Sequence, residues 1–210
     1  MTPPAPFVYP SAPLERRHAP RGYKDYQSYK PFLRDEFVFR CVYCLARERF
    51  YPTGPDSFSV DHFTPVSVDP ARETDYENLV YCCLRCNSFK QAGITIPNPM
   101  QLAFSEHLEV RSDGYVVSQT VEGSVLIKLL GLNTRPALDT RRHVLAMIAL
   151  MAKYPEDGDI RARVLHYLAY PDDLPDLSDL RPPDGNAKKE SGVKTSHFER
   201  RKRGELPEMY

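Results

Sequence analysis

Hydrophobic and polar positions in the middle of the chain alternate with a two-residue period, which is typical of a half-buried strand. Residues 58–63, Phe-Ser-Val-Asp-His-Phe, show this alternation, with Pro and Gly residues before them and Pro65 after them. Residues 76–81 form a second short segment that carries apolar side chains. The pattern predicts two short strands, and residues 87–92 then predict a short helix.

Beyond residue 98 the pattern is mixed and becomes helical. Residues 108–117 predict a hairpin that turns at Asp113-Gly114. Helices are predicted over 125–130, 139–153 and 160–170, the second with Asp139 as its N-cap. One apolar face of the second helix comprises Val144, Leu145, Ile148 and Met151.

The two ends of the chain lack hydrophobic periodicity. Residues 1–35 form an arm rich in Pro, Tyr and basic side chains, and residues 171–210 form a tail rich in Pro, Gly and charge. We expect little regular structure in either end and a loose or disordered tail. Between them lie a core over 36–97 and a mixed hairpin and helical extension over 98–170. The predicted fold class is therefore α+β, with a small helical C-terminal region.

Composition limits the class of protein. The chain has 210 residues and a formal net charge of zero, and no apolar run reaches the length of a membrane span. The N-terminus lacks the charged start and apolar core of a secretory signal, so a cytoplasmic location and no membrane partner are expected. In the cytosol, paired cysteines bind metal more often than they form disulfides.

Local charge is more informative than the average. Basic residues crowd the N-terminal arm and are interleaved with Tyr23, Tyr26 and Tyr29. These basic residues are Arg16, Arg17, Arg21, Lys24, Lys30 and Arg34. One interpretation is a solvated tail, because charge runs are usually solvated. The other is an arm that packs on nucleic acid by charge and stacking.

Two Cys-x-x-Cys pairs predict a structural zinc site. Cys41 with Cys44 and Cys83 with Cys86 supply four thiolates, the set that closes a tetrahedral site at Zn–S distances of about 2.3 Å. A closed site has no open position for chemistry, so its role is to hold the two ends of the intervening segment in register. Cys82 could replace Cys83 as a ligand, but Cys83 repeats the spacing of the first pair. Buried free thiols or a redox pair would also give this cysteine pattern.

A second group of residues lies between the pairs. His62 can take a proton from water near neutral pH, and Asp61 before it offers oxygens. Asn87 directly after Cys86 also offers an oxygen, and carboxylate and amide oxygens suit Mg²⁺ or Mn²⁺. Asn78 can hold the loop between the strands. Adjacent residues on a strand point to opposite faces, so Asp61 and His62 can serve one site only if the strand ends or bends there.

The combined motif resembles the HNH endonucleases, the zinc-bearing branch of the ββα-metal (His-Me finger) nucleases. The matching stretches are Val60-Asp-His-Phe-Thr-Pro65, Glu77-Asn-Leu-Val80 and Cys83-Leu-Arg-Cys-Asn-Ser-Phe-Lys90. The resemblance implies a ββα core in which His62 is the general base and Asn78 orients the active-site loop. It implies that Asp61 and Asn87 bind one divalent cation. Asn87 stands where many members have His, which makes this an H-N-N variant.

The resemblance also implies a substrate and products. The expected reaction is hydrolysis of phosphodiester bonds, most readily in double-stranded DNA, leaving 5′-phosphate and 3′-hydroxyl ends. Candidate phosphate contacts are Arg40, Arg47, Arg49, Arg85 and Lys90, each with a solvated surface charge as the alternative.

The segment after the motif has Asn98-Pro99, a hairpin at Gly114 and Leu130-Gly-Leu-Asn133 ahead of a basic helix. In these features it resembles bacterial HNH proteins of retron and other phage-defence systems, which implies a protein partner in a defence complex. Two further hypotheses compete with the nuclease. One is a non-catalytic zinc module that binds nucleic acid or protein; the second is an interaction protein whose C-terminal helices bind a partner.

Overall fold

The computed structural model describes residues 4–90, 96–188 and 192–210, and short helices and two small sheets make up its regular structure. The helices are α1 (Lys30–Glu36), α2 (Leu84–Phe89), α3 (Val121–Leu129), α4 (Arg135–Lys153), α5 (Gly158–Leu168) and α6 (His197–Lys202). The strands are β1 (Phe58–His62), β2 (Leu79–Cys83), β3 (Leu108–Val110) and β4 (Val116–Ser118). The predicted α+β class is confirmed. No helix in the described ranges is long and apolar enough to cross a membrane.

The centre of the fold is the β1–β2–α2 unit. The strands pair antiparallel, with Phe58 opposite Cys83 and His62 opposite Leu79. All five residues of β2 are buried, and the ring of Phe58 stacks on that of Tyr81 with centroids 5.0 Å apart. The helix starts at Leu84, earlier than predicted, because the Cys83 sulfur caps it by accepting from the Cys86 amide. The predicted end of this helix, over residues 91–92, lies outside the described residues.

The extension after residue 98 contains the predicted hairpin and helices. β3 and β4 pair antiparallel, and Gly114 at the turn has φ +83°, a conformation that glycine adopts without strain. α4 buries Val144 and Ile148 of the predicted apolar face. Its predicted start at Asp139 is wrong. The helix begins at Arg135, since Pro136 fits the first turn and fixes a helical φ there.

The two ends of the chain are packed rather than loose, which corrects the sequence-based expectation. Phe7 and Tyr9 of the arm and Leu177 of the tail belong to the same buried cluster as the β1–β2 strands. The Tyr9 hydroxyl donates to the Tyr43 carbonyl over 2.9 Å. No sequence pattern indicated this packing, because the apolar side chains of the two ends are spaced without a regular period. The division at residues 36, 98 and 171 stays a prediction.

A buried carboxylate joins both ends to α1. Asp35 accepts hydrogen bonds from His18 Nε2 (2.8 Å), from the His197 backbone amide (2.7 Å) and from His197 Nδ1 (2.9 Å). The Arg17 guanidinium lies 2.9 Å from the same carboxylate. Burial alone would raise the pKa of Asp35, but the hydrogen bonds from His18 and His197 outweigh burial and hold the pKa well below its usual range.

Removal of this carboxylate is expected to destabilise the fold. Asp35→Ala should lower the free energy of unfolding by about 3 to 5 kcal/mol, because it leaves buried donors of the arm and the tail without an acceptor. Urea denaturation of the zinc-loaded protein measures the effect. Asp139→Ala on the exposed face of α4 is the matched control and should change stability by less than about 0.5 kcal/mol. Equal stability of the two variants would show that Asp35 does not hold the chain ends.

Candidate functional site

Four buried cysteine sulfurs form a cluster at one end of the β1–β2–α2 unit. The Sγ atoms of Cys41, Cys44, Cys83 and Cys86 all lie within 4.8 Å of one another. Within the described ranges this is the only group of three or more His, Cys, Asp or Glu side chains arranged to hold a metal ion. Four thiolates at this spacing fit tetrahedral zinc, and the predicted four-cysteine site is consistent with the structure.

Backbone turns aim the sulfurs at one point. The Leu45 amide donates to the Cys41 carbonyl over 3.0 Å, and Leu45 adopts φ +61°, so the first pair folds back on itself. The Cys41 amide donates in turn to the Ala46 carbonyl over 2.8 Å. Neighbouring thiols lower the pKa of Cys83 through hydrogen bonds, which favours the thiolate that a metal requires.

The ambiguity between Cys82 and Cys83 is resolved by the register of the strands. Cys82 lies opposite Ser59, and its sulfur contacts the Ser59 hydroxyl at 3.8 Å. Burial raises the pKa of the Cys82 thiol. Cys83 points the other way, and its sulfur lies 3.7 Å from that of Cys44. Cys83 is therefore the member of the cluster.

Asp61 lies near the end of β1, on the face that α2 covers. Its Oδ2 accepts a 2.7 Å hydrogen bond from the Tyr43 hydroxyl. The Lys90 ammonium donates to both carboxylate oxygens, over 2.9 Å to Oδ1 and 2.8 Å to Oδ2. Burial and the nearby Asp61 charge raise the pKa of Tyr43, so its hydroxyl keeps the proton that it donates. The Asp61 carboxylate is thus paired with a cation from the protein itself, the Lys90 ammonium.

His62 is the last residue of β1 and has different neighbours from Asp61. Its Nε2 lies 2.7 Å from the backbone carbonyl oxygen of Glu73. The ring of Tyr26 meets the imidazole edge to face, with centroids 4.6 Å apart. The strand ends at this residue, which meets the condition that the sequence set for Asp61 and His62 to serve one site.

Asn78 is fully buried and ties the two ends of the β1–β2 loop together. Its Oδ1 accepts from the Thr64 amide over 3.0 Å, and its Nδ2 donates to the carbonyls of Thr64 (3.0 Å) and Arg72 (3.2 Å). Because Arg72 precedes Glu73, these bonds fix the part of the loop whose carbonyl meets His62. These contacts are compatible with the predicted loop-orienting role of Asn78, which stays a prediction.

Asn87 reaches the same face of β1 as Asp61. Its Nδ2 donates to the Ser59 hydroxyl over 3.0 Å, and Ser59 lies two residues before Asp61 on the strand. In the described part of the chain no hydrogen bond joins Asn87 to Asp61. The structure therefore brings the two predicted cation ligands to one face, while their role as ligands stays a prediction.

The candidate phosphate contacts are mostly engaged within the protein. Arg47 is only 2% exposed, donates to the Leu168 carbonyl and packs 3.9 Å from the Tyr210 ring centroid, so its side chain is engaged within the protein, and its contact with nucleic acid stays a prediction. Arg85 donates to Gly131 O and Thr134 Oγ1, both over 3.0 Å. Arg49 pairs with exposed Asp172 of the tail, and Arg40 is half-buried near Tyr210 of the same tail. The sequence alone does not reveal these internal contacts, because long basic side chains can pack against apolar groups and bind carbonyls as well as phosphates.

Two aromatic residues at the site were not predicted to belong to it. Tyr43 lies inside the first cysteine pair, and no periodicity marks its hydroxyl as a partner of Asp61. Tyr26 was noted only as one of several aromatic residues in the arm. Both reach the site through contacts between segments that are distant in sequence.

A comparison with protein families identifies this region. Residues 41–93 match the HNH endonuclease family, and the matched stretch holds both cysteine pairs, His62, Asn78 and Asn87. The chain therefore carries an HNH endonuclease domain, which confirms the resemblance and indicates nuclease activity on nucleic acid. No curated protein matches the chain. Since the family match does not include residues 98–170, their likeness to phage-defence proteins stays a prediction.

The two neighbouring cysteines provide a matched test of the zinc site. Cys83→Ser should remove zinc and lower the melting temperature together, because a structural metal contributes its binding energy to folding. Cys82→Ser should keep full zinc content, since its sulfur lies outside the cluster. Metal content is measured on purified protein by elemental analysis and stability by thermal unfolding. Full zinc in the Cys83 variant, or loss of zinc in the Cys82 variant, would contradict the assignment.

Proposed function

We propose that this protein is a metal-dependent endonuclease that hydrolyses phosphodiester bonds, with double-stranded DNA as its substrate and His62 as its general base. The observation that carries the proposal is the hydrogen bond between His62 Nε2 and the Glu73 carbonyl. This hydrogen bond favours the neutral imidazole that carries its proton on Nε2. A general base needs an unprotonated ring nitrogen, and in this form Nδ1 is unprotonated.

A carbonyl oxygen can only accept a hydrogen bond, so the proton of neutral His62 lies on Nε2. Nδ1 then carries the lone pair and can take the proton of an attacking water. The Tyr26 ring packs against the imidazole and limits its rotation. A base with a fixed tautomer and a fixed orientation supports attack on phosphorus from one direction.

Asn78 supports the orientation of His62 indirectly, through the loop. It bonds Thr64 on one side of the loop and Arg72 on the other, and so holds the Glu73 carbonyl over His62. We assign Asn78 a positioning role, because it contacts the loop backbone and not the imidazole.

Asp61 and Asn87 are the proposed ligands of the catalytic cation, taken to be Mg²⁺ or Mn²⁺. Both offer oxygen, the donor that these hard cations prefer. Asp61 already attracts a cation in this structure, since the Lys90 ammonium lies within 2.9 Å of both its oxygens. A bound divalent cation supplies electrostatic stabilisation of the negative charge that develops around phosphorus. The four cysteines would hold a separate structural zinc.

The N-terminal arm supplies candidate contacts to the substrate backbone. Arg21 and Lys24 are exposed and lie close in sequence to Tyr26, the residue that packs on His62. Exposed positive side chains such as these can position phosphates without reading sequence. This supports the interpretation of the arm as a nucleic-acid contact, and it adds the arm to the proposed backbone contacts.

A non-catalytic zinc module that binds nucleic acid or protein is the second candidate. The observation that favours it is the buried Lys90–Asp61 pair, because the ammonium already neutralises the carboxylate and a divalent cation on Asp61 would lie close to a like charge. A role in phage defence with a protein partner rests only on the likeness of the segment after the motif to phage-defence proteins.

Cleavage of supercoiled plasmid tests the proposal. The zinc-loaded protein should nick or linearise DNA only when Mg²⁺ or Mn²⁺ is added. His62→Ala should reduce the rate by about 100- to 10,000-fold, the usual contribution of a general base. The variant should keep its zinc and its melting temperature, and His143→Ala on exposed α4 should cut like the wild type.

The outcomes separate the two candidate functions. Divalent-dependent cleavage that His62→Ala lacks establishes the nuclease and its base. Cleavage at the wild-type rate by His62→Ala would remove His62 as the base. Binding of DNA by both proteins without cleavage would favour the zinc module.

Loosening the loop should slow cleavage without removing the base. Asn78→Ala should lower the rate by about 100-fold, because misplacement of a catalytic group by about 1 Å has an effect of this size. The measurement is the single-turnover cleavage rate well below the melting temperature of the variant. Asn133→Ala, which removes a similar set of backbone hydrogen bonds in the extension, is the matched control. Equal rates for the two variants would show that loop position does not limit cleavage.

A further inference from the structure

The side-chain ammonium of Lys90 is fully hydrogen-bonded next to Asp61. Lys90 follows α2 directly, and its side chain is 3% exposed. Its ammonium donates to Oδ1 and Oδ2 of Asp61 and also to the backbone carbonyl of His62. An ammonium has three donors, so all three are used within one site. The Tyr43 hydroxyl adds a further donor to Asp61 Oδ2.

These contacts disfavour a second cation at Asp61. Both carboxylate oxygens accept from the ammonium, and a divalent ion placed on either one would lie close to a like charge. Burial makes this repulsion stronger than it would be in water. Simultaneous binding of a divalent cation and the Lys90 ammonium to the Asp61 carboxylate is therefore unfavourable.

We propose that Lys90 is a resident cation that keeps Asp61 from binding a divalent ion until nucleic acid arrives. The ammonium then leaves Asp61 for a phosphate oxygen of the substrate, and the divalent cation takes its place on the carboxylate. This inference rests on the proposed function in that the anion which draws Lys90 away is a backbone phosphate.

The chemistry of lysine suits such an exchange. Its charge sits on a flexible four-carbon stem with three equivalent donors, so it can move between anions without a fixed bonding plane. Lys90 also lies just past the last helical residue of α2, with backbone angles of φ −68° and ψ 42° that are not helical. A phosphate oxygen replaces the carboxylate as its partner, so the positive charge stays neutralised when Asp61 is released.

The exchange couples metal binding to nucleic-acid binding. DNA that attracts Lys90 raises the affinity of Asp61 for the cation, and by reciprocity the cation raises the affinity for DNA by the same factor. The free protein should then hold the divalent ion weakly, and the complete site should form only on the substrate.

Binding of Mn²⁺ to the zinc-loaded full-length protein, followed by electron paramagnetic resonance, tests the inference without cleavage. Lys90→Met keeps the length of the stem and removes the charge, and it should bind Mn²⁺ at least about tenfold more tightly than the wild type, within the usual range of coupling. Adding Asp61→Asn to Lys90→Met should abolish this gain. Lys128→Met, on the exposed face of α3, should bind like the wild type.

A second experiment leaves Lys90 unchanged, so it tests the inference even if Lys90→Met does not fold. In His62→Ala protein, in which the DNA should stay intact, a short duplex should increase Mn²⁺ affinity by about the same factor. The double variant Asp61→Asn/His62→Ala with the same duplex corrects for Mn²⁺ bound by the DNA itself.

Three results would overturn the inference: tight Mn²⁺ binding at Asp61 in the free wild type, no gain in a folded Lys90→Met protein, or no effect of the duplex beyond the Asp61→Asn control. The test is separate from that of the nuclease. If Mn²⁺ binding follows the expected pattern while plasmid is not cut, the exchange at Lys90 stands and the proposed reaction fails.

Discussion

The four-cysteine cluster is the constraint on which the rest of the site depends. It joins two turns that flank the whole β1–loop–β2 segment, and it lies beside the first turn of α2. Two five-residue strands and a six-residue helix cannot bury enough apolar surface to fix one another on their own. A metal on the cysteines would fix where α2 starts, and that start determines where Asn87 and Lys90 meet β1.

A second set of contacts links the packed chain ends to the loop of the candidate site. Glu36, next to Asp35 on α1, accepts a 2.6 Å hydrogen bond from the Tyr76 hydroxyl. The Arg16 guanidinium from the arm lies 4.9 Å from the centroid of the same ring. Tyr76 stands two residues before Asn78, so the arm and α1 support the segment that Asn78 connects to the loop over the proposed base, His62. The arm thus belongs to the structure of the site and is more than a flexible attachment.

The sequence predicted what local spacing determines. Repeated Cys-x-x-Cys turns, strand alternation over 58–63 and the position of Asn78 all follow from short-range pattern, and the structure contains each of them. The contacts that the sequence missed join segments far apart in the chain. The Lys90–Asp61 pair spans 29 residues and the His197–Asp35 pair 162, and no local pattern distinguishes such partners from solvated charges. Arg47 shows the same limit of local pattern. It lies close to the first cysteine pair in sequence, yet the ring of Tyr210, near the C-terminus, packs against it.

In the proposed site, the end of β1 at His62 is what would allow two adjacent residues to act together. Along the strand, Asp61 shares a face with Ser59 and therefore meets α2, whereas His62 shares the other face with Val60. Had the strand continued, the base and the carboxylate would have stayed on opposite sides of a sheet. Because it ends, the loop can bend over His62, and the Lys90 ammonium bonds both the Asp61 carboxylate and the His62 carbonyl. That ammonium lies between the backbone of the proposed base and the proposed metal ligand, so its position decides whether the two can act together.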